Sequence, residues 1–398
     1  MKLLALLSGL SERHGRRITL LAFLAVVPLA SSCAADPNGI PTAHAATAEL
    51  AATVDTIAQT RMAAELIPGV AVSVIDPELG EYTHAYGVAD VPTGRAMTVD
   101  DRFRVGSVTK SFTATTVLQL ADSGKLSLDD TLDTYVDGIP NATDITIRDL
   151  LGMRGGVYDY STDPEFAQYF GDSPQPGWTV ADTLRVIAAH PEKAQPPNTV
   201  TAYSNSEYYL LGLVIEKVTG KPVGEIINTG VIDRLGLTET VFPDGADLPT
   251  PASRGYQYKG GKQTDVTGLT PADTFSTAGA IVSTVSDMSK YAEQLATGEL
   301  IEMETQTART QFTNMSNRPG MEYGLGVIRI GDWIGHAGDV AGYSDMVFYL
   351  PERDATVVVA VNLTDTSLLA DSASIWPLPR HCSRRQRSFS GDACRRYS

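Results

Sequence analysis

Three short runs in this chain carry side chains that can attack a carbonyl or move protons around it. The first is Arg104-Val105-Gly106-Ser107-Val108-Thr109-Lys110. Ser107 opens an expected helix that runs to about Ser123 and stops at Gly124, a residue suited to the left-handed helix end. A hydroxyl at a helix start sits in the positive end of the aligned peptide dipoles, which favours developing alkoxide and oxyanion charge. The i, i+3 spacing puts Lys110 on the same helical face, where a desolvated amine can take the serine proton or hold a neighbouring anion. The second run is Tyr203-Ser204-Asn205, expected on a loop before a helix over 208–218. A lysine ammonium nearby lowers a tyrosine's pKa, so a Tyr203 phenolate can take the serine proton. Asn205 offers a substrate amide both a donor and an acceptor. The third run, His336-Ala337-Gly338, is expected at the end of a short strand. Gly338 permits close approach of a substrate to the backbone, and His336 can supply a proton or a positive charge.

Each run alone has an ordinary explanation. About one S-x-x-K arises by chance in a chain of this length and composition, so Ser107 alone reads as a plain helix start. Tyr203-Ser204-Asn205 alone reads as a polar cap for the next helix, and a lone strand histidine is usually structural. The combination weighs differently. Each pattern occurs once, in the order S-x-x-K, Y-x-N, H-x-G.

The elements that must position these residues follow from periodicity. Leu50, Val54, Ile57, Ala58, Met62 and Leu66 recur at helical spacing over 47–66. Residues 69–75 and 81–88 read as strands joined by a turn at 77–80. The middle, about 125–300, reads as helical patches between Pro- and Gly-marked loops, with an amphipathic helix over 281–296. After Tyr323 the pattern returns to short strands over 324–330, 333–336, 344–350 and 355–362, and a last helix is expected over 366–373. Strands open and close the body while helices fill its middle. The expected fold class is α+β, an antiparallel sheet built from both chain ends, flanked by helices, with a largely helical subdomain in between.

Composition narrows the function. The chain has 398 residues, 43% of them hydrophobic and 20% charged, with a formal net charge of −16. Both ends are basic, so the body is more acidic than that figure, which argues against nucleic acid or anionic lipid as a partner. The only cysteines are Cys33, Cys382 and Cys394, without a C-x-x-C pair, and the histidines are scattered without H-E-x-x-H. A metal site is therefore not expected, and no cofactor is called for. Arg13, Arg16 and Arg17 precede an apolar stretch over 18–30, too short to span a bilayer comfortably but suited to an export signal. Cleavage is expected either after Ala43-His44-Ala45 or at Cys33, which would then carry a lipid as the only membrane contact. The expected organisation is a signal over 1–33, a linker over 34–46, the hydrolase body over 47–376, and an Arg- and Ser-rich tail over 377–398. That tail reads as disordered or as a shifted reading frame, with a membrane-contacting basic tail as the alternative. Cys382 and Cys394 can pair in an oxidising compartment. The expected location is extracytoplasmic, secreted or anchored in a bacterial cell envelope.

Together the three runs resemble the active-site signatures of the serine β-lactamase and D-alanyl-D-alanine carboxypeptidase superfamily, in its class C-like branch. Ile145-Thr146-Ile147-Arg148-Asp149-Leu150-Leu151, the segment 203–220 and the segment 276–288 are similar to the family pattern as well, and the resemblance covers about 50–365. It implies Ser107 as the acylated nucleophile, Lys110 and Tyr203 as managers of its proton, and Asn205 as holder of the substrate amide. It implies an oxyanion hole from the backbone N–H groups of Ser107 and Asp339, and substrate contacts at His336, Ala337 and Gly338. His336 stands where true class C β-lactamases carry Lys, which favours carboxypeptidases and esterases. Some positions depart from the family. Ala337 replaces a Thr that helps bind a carboxylate, and Arg329 lies one residue off the family's carboxylate-binding Arg, which flips its strand face. Met153-Arg154-Gly155-Gly156-Val157 replaces H-T-S-G-L, and Asn198 stands in for a glycine where positive φ is needed.

The expected function is an exported serine hydrolase acting on a D-alanyl peptide, amide or ester through acyl-Ser107, most like a D-alanyl-D-alanine carboxypeptidase or penicillin-binding protein. A β-lactamase or an esterase of the same family is the alternative. A catalytically silent binding protein for peptidoglycan or β-lactams is a third reading, which the completeness of the Ser107, Lys110 and Tyr203 set opposes.

Overall fold

The computed structural model describes residues 45–365, apart from 172–176, 260–261 and 271. The expected export signal, the linker up to 44, Cys33, the helix over 366–373 and the basic tail with Cys382 and Cys394 lie outside the described residues.

Nine strands form one sheet. In chain order they are β1 (Gly69–Asp76), β2 (Gly80–Asp90), β3 (Arg95–Ala96), β4 (Thr313–Asn314), β5 (Glu322–Tyr323), β6 (Ile328–Ile330), β7 (Trp333–Val340), β8 (Tyr343–Leu350) and β9 (Ala355–Val361). Their order across the sheet is β3-β2-β1-β9-β8-β7-β6-β5-β4. The two ends of the body therefore meet in the middle, where β1 pairs antiparallel with β9 and Val72 lies opposite Val359. Every residue of β9 is buried, and so is nearly all of β1. Strands covered on both faces lose the usual in–out alternation, and both sequences read as near-continuous Val and Ala.

The Asn362 side chain fastens this seam. Gly69 N–H donates to its Oδ1 at 2.7 Å, and its Nδ2 donates to Val88 O at 3.0 Å. Two helices cover the central strands. Helix α1 (Ala48–Glu65) starts where the Thr47 side chain accepts from Leu50 N–H, and it buries Leu50, Val54 and Ala58. A hydroxyl or carboxamide at that cap satisfies one of the orphan donors of the first turn.

The nucleophile's helix, α2 (Thr109–Asp122), is enclosed on all sides, with every residue from Thr109 to Leu118 buried. Its threonines survive burial by donating back along the helix. Thr113, Thr115 and Thr116 reach the carbonyls of Thr109, Ser111 and Phe112 at 3.2, 2.8 and 3.0 Å. Helix α3 (Asn205–Thr219) packs beside it, and the 3-10 turn Ser276–Ala278 bridges the two. There Thr113 Oγ1 donates to Thr277 O at 2.8 Å, and Thr277 Oγ1 donates to Tyr208 O at 2.7 Å.

The α+β architecture matches the expectation, and several boundaries move for local reasons. The last amphipathic helix, α4 (Val285–Thr297), begins later than 281 because Val282 and Ser283 pair with Phe103 and Arg104, and Thr284 then caps the helix. The strand expected over 324–330 shrinks to β6, because Gly326 turns the chain at φ +80°. The strand expected over 333–336 extends to Val340, so the H-x-G run lies inside β7, not at its end.

Asn362→Ala leaves Gly69 N–H and Val88 C=O without partners in a dry seam. At about 1–3 kcal/mol for each orphaned group, the variant should lose roughly 2–4 kcal/mol of unfolding free energy in urea titrations. An unchanged midpoint would mean that the two chain ends hold together without this side chain.

Candidate active site

Ser107 lies in a 3-10 turn, Gly106–Val108, that runs directly into α2. The turn is held against β7. A Cβ on Gly338 would lie 2.0 Å from Val105 O and 3.1 Å from Ser107 N, and one on Gly106 would lie 2.9 Å from Asp339 N. Gly106 also needs its φ of +49°, a left-handed conformation that costs glycine little. The two glycines thus bring the backbone amides of Ser107 and Asp339 to neighbouring positions, as an oxyanion hole requires.

Lys110 is fully buried, one turn along the helix. Its Nζ lies 2.9 Å from Ser107 Oγ, 2.7 Å from Asn205 Oδ1 and 2.7 Å from Ala278 O. Burial pushes its pKa well below the ordinary lysine value, Asp159 opposes that shift, and Arg318 adds to it. A neutral amine keeps two N–H donors for Asn205 and Ala278 and turns its lone pair to the serine hydroxyl.

Tyr203 completes the group. The Lys110 Nζ stands 4.9 Å from its ring centroid. Burial raises the phenol's pKa, while the charge of Arg318 and a side-chain hydrogen bond with Ser107 pull it down. Asn205 is the first residue of α3, not a loop residue. Its Oδ1 takes the Lys110 proton, and its Nδ2 donates to Ser161 Oγ at 2.8 Å. Each end of the amide keeps one hydrogen-bonding position for a substrate.

His336 differs from the expectation. It is buried, and its pKa is pushed down to about 3, first by burial and then by repulsion from Lys110. The neutral ring donates from Nδ1 to Ala337 O at 2.6 Å and accepts at Nε2 from Tyr323 Oη at 3.2 Å. It supplies no positive charge at neutral pH. Ala337, at the alternate strand position, packs partly buried against the apolar core. Arg329 is held away by Glu322, with contacts at 2.7 and 2.8 Å, and its guanidinium lies over Phe312.

The structure adds residues that no motif announced. Asp159 accepts from the N–H and Oγ of Ser161 at 3.0 and 2.8 Å, which extends the Lys110–Asn205–Ser161 chain to a carboxylate. Ala278 contributes only a carbonyl, which leaves no signature in a sequence. Glu207 is buried, its pKa pushed well up by desolvation, and it accepts backbone N–H groups from Gly155, Gly156 and Val157. It fixes the segment that replaces the family's H-T-S-G-L. Asn198 takes φ +60° there, as expected of a glycine substitute. Among the described residues, no group of three or more His, Cys, Asp or Glu could hold a metal ion.

Known proteins are similar to this chain in sequence and in fold. The beta-lactamase family profile matches residues 54–376. An unguisins hydrolase of Aspergillus violaceofuscus is 28% identical over 359 residues, covering 78% of this chain and 61% of the relative. A penicillin-binding protein of Bacillus subtilis is 25% identical over 307 residues, covering 72% of this chain and 66% of the relative. The chain thus spans about three fifths to two thirds of the length of these curated relatives. Among solved structures, a D-stereospecific amidohydrolase from Streptomyces sp. aligns with a TM-score of 0.67 at 29% identity, covering 77% of this chain and 94% of that one. With the serine, lysine and tyrosine brought together and the profile matching residues 54–376, the chain belongs to the beta-lactamase family, as a class C-like member.

Proposed function

We propose that this hydrolase cleaves amide or ester bonds of D-alanyl peptides and related D-amino-acid substrates through an acyl-Ser107 intermediate, outside the cytoplasm. The observation that carries the reading is the contact of the buried Lys110 Nζ with Ser107 Oγ at 2.9 Å, in a chain similar to a D-stereospecific amidohydrolase and a penicillin-binding protein. Export is expected from the apolar leader with its basic flank.

In this mechanism Ser107 Oγ attacks the substrate carbonyl while its proton passes to Tyr203 or Lys110. The carbonyl electron pair moves to the oxygen, which the amides of Ser107 and Asp339 stabilise. The group that took the proton, Tyr203 or Lys110, then delivers it to the departing amine or alcohol. Water repeats the sequence on the acyl-enzyme and releases the acid. Water is activated by the same pair, so acylation and deacylation share one proton acceptor. An amidase or esterase reading gains from Arg329, whose ion pair with Glu322 keeps it from the substrate carboxylate that a carboxypeptidase must grip.

Intact mass after addition of a penicillin or a D-alanine p-nitrophenyl ester tests the chemistry. An adduct should form on the wild type and be absent from Ser107→Ala, and full labelling of that variant would sink the mechanism. Lys110→Ala and Tyr203→Phe should each slow acylation by about 10²–10⁴, the range for positioned acid–base groups. Equal turnover of D- and L-alanine amides would remove the D-specific part of the proposal. Steady drug consumption with a transient adduct would reassign the enzyme as a β-lactamase.

A further inference from the structure

The geometry points to Arg318 as the second cation of this active site, a positioning residue that holds the Tyr203 side chain ready to accept the serine proton. The inference rests on the acyl-serine reading above and adds a residue to it. The third motif places His336 beside Tyr203, with ring centroids 6.4 Å apart, but that imidazole is buried and neutral. A charge is therefore missing from the position where the motif would offer one, and another segment supplies it. The Arg318 Cζ stands 4.6 Å from the Tyr203 ring centroid, within cation–π reach, as does Lys110 Nζ at 4.9 Å. The phenol thus lies against two basic side chains from segments far apart in the chain, and of the two it is Lys110 that burial pushes toward its neutral form.

Arg318 is delivered by backbone, not by chance contact. Tyr203 N–H donates to Asn317 Oδ1 at 3.0 Å, and Asn317 Nδ2 donates back to Tyr203 O at 3.3 Å. Ser316 N–H donates to Thr201 O at 2.8 Å, and Met315 N–H to Met321 O at 3.0 Å. The loop 315–321 is thereby stitched to the strand-like run before α3, so Arg318 and Tyr203 keep register with each other. The Arg318 Nε is buried without a hydrogen-bond partner among the described residues. A guanidinium suits the place, because it is planar, weakly hydrated and always charged, and it lies on an aromatic face without needing a carboxylate.

The charges around Tyr203 come from several elements. Lys110 on α2 and Arg318 on its loop are the basic groups, and neutral His336 on β7 and Tyr323 on β5 are the aromatic neighbours. Tyr208 on α3 lies close enough to raise its own pKa through Tyr203. Asp159 and Asp339 push the phenol's pKa up, in the same direction as burial, and Arg318 is the strongest of the opposing influences. In the acylation step the Ser107 O–H bond breaks, its proton joins the Tyr203 oxygen, and Oγ bonds the carbonyl carbon. Burial makes the phenolate the minor form at neutral pH, and the cation over the ring sets how small that fraction is.

The test is the acylation burst with a neutral N-acetyl-D-alanine p-nitrophenyl ester, from about pH 5.5 to about pH 10. It compares wild type, Arg318→Gln, Arg318→Lys and Ser107→Ala. The neutral ester removes any part played by a substrate carboxylate. Losing a cation raises the phenol's pKa, so the rising limb of the Arg318→Gln profile should move up by about one pH unit or more. Because burial already holds the phenol above the ordinary tyrosine range, acylation should then fall about tenfold across the range tested. Arg318→Lys keeps the charge and should restore the rate to near wild type. An unchanged Arg318→Gln profile overturns the inference, and so does an Arg318→Lys profile that matches Arg318→Gln. A burst retained in Ser107→Ala overturns the acyl-serine reading itself, and a burst lost there with an unmoved Arg318→Gln limb overturns the Arg318 role alone.

Discussion

Lys110 is a long cationic side chain with no solvent exposure, and its amine meets a serine hydroxyl, a carboxamide oxygen and a backbone carbonyl within 2.7–2.9 Å. Such a group is costly to bury unless every hydrogen-bonding position is answered, and the cost rises steeply if one partner leaves. The surrounding structure reads as the means of keeping those partners in place. Helix α2 brings Ser107 within one turn, α3 brings Asn205, and the turn between them brings the Ala278 carbonyl. Thr113 on α2 ties it to that turn through its hydroxyl, and Thr277 on the turn ties it in the same way to α3. The same enclosure that makes the amine a poor ammonium makes it a competent proton acceptor.

The sheet supplies the opposite wall. Gly338 and Gly106 are the points where strand and turn touch backbone to backbone, and any side chain at Gly338 would meet the Val105 carbonyl. A sheet whose central pair joins the first and last strands can hold that contact rigidly, because β7 is two strands from the seam. Geometry at β7, an interior strand, thus depends on closure at the β1–β9 seam two strands away.

Much of this was legible in the residues. Helical spacing of Leu50, Val54 and Ala58, the Val-rich runs of β1 and β9, and the order of the three motifs all speak through residue type and period. What was not legible has a common cause. Ala278 acts through a carbonyl that every residue owns, Asp159 acts through Ser161 and Asn205, and Arg318 arrives from a loop tied by Asn317 to the Tyr203 backbone and by the Ser316 N–H to Thr201 O. None of these leaves a periodic or positional mark. The charge of His336 was misread for a related reason. A histidine's protonation depends on its burial and on cations from elsewhere in the chain, and neither can be counted along a strand. Strand ends also shifted where tertiary pairing overrode local pattern, as at Val282 and Ser283.

The meeting of β1 and β9 at the centre of the sheet also has a consequence for how the enzyme comes into being. The pairing joins segments near opposite ends of the chain, with Gly69 and Asn362 separated by 293 residues. Contacts of such separation form late, after the loop-closure entropy of the intervening chain has been overcome. During synthesis the S-x-x-K helix emerges early, yet the strand carrying His336, Gly338 and Asp339 comes near the end. A ribosome-bound chain at that stage therefore carries Ser107 and Lys110 without the strand that sets Asp339 beside them. On the proposed mechanism the active site cannot assemble until almost the whole described body has emerged, a consequence of topology.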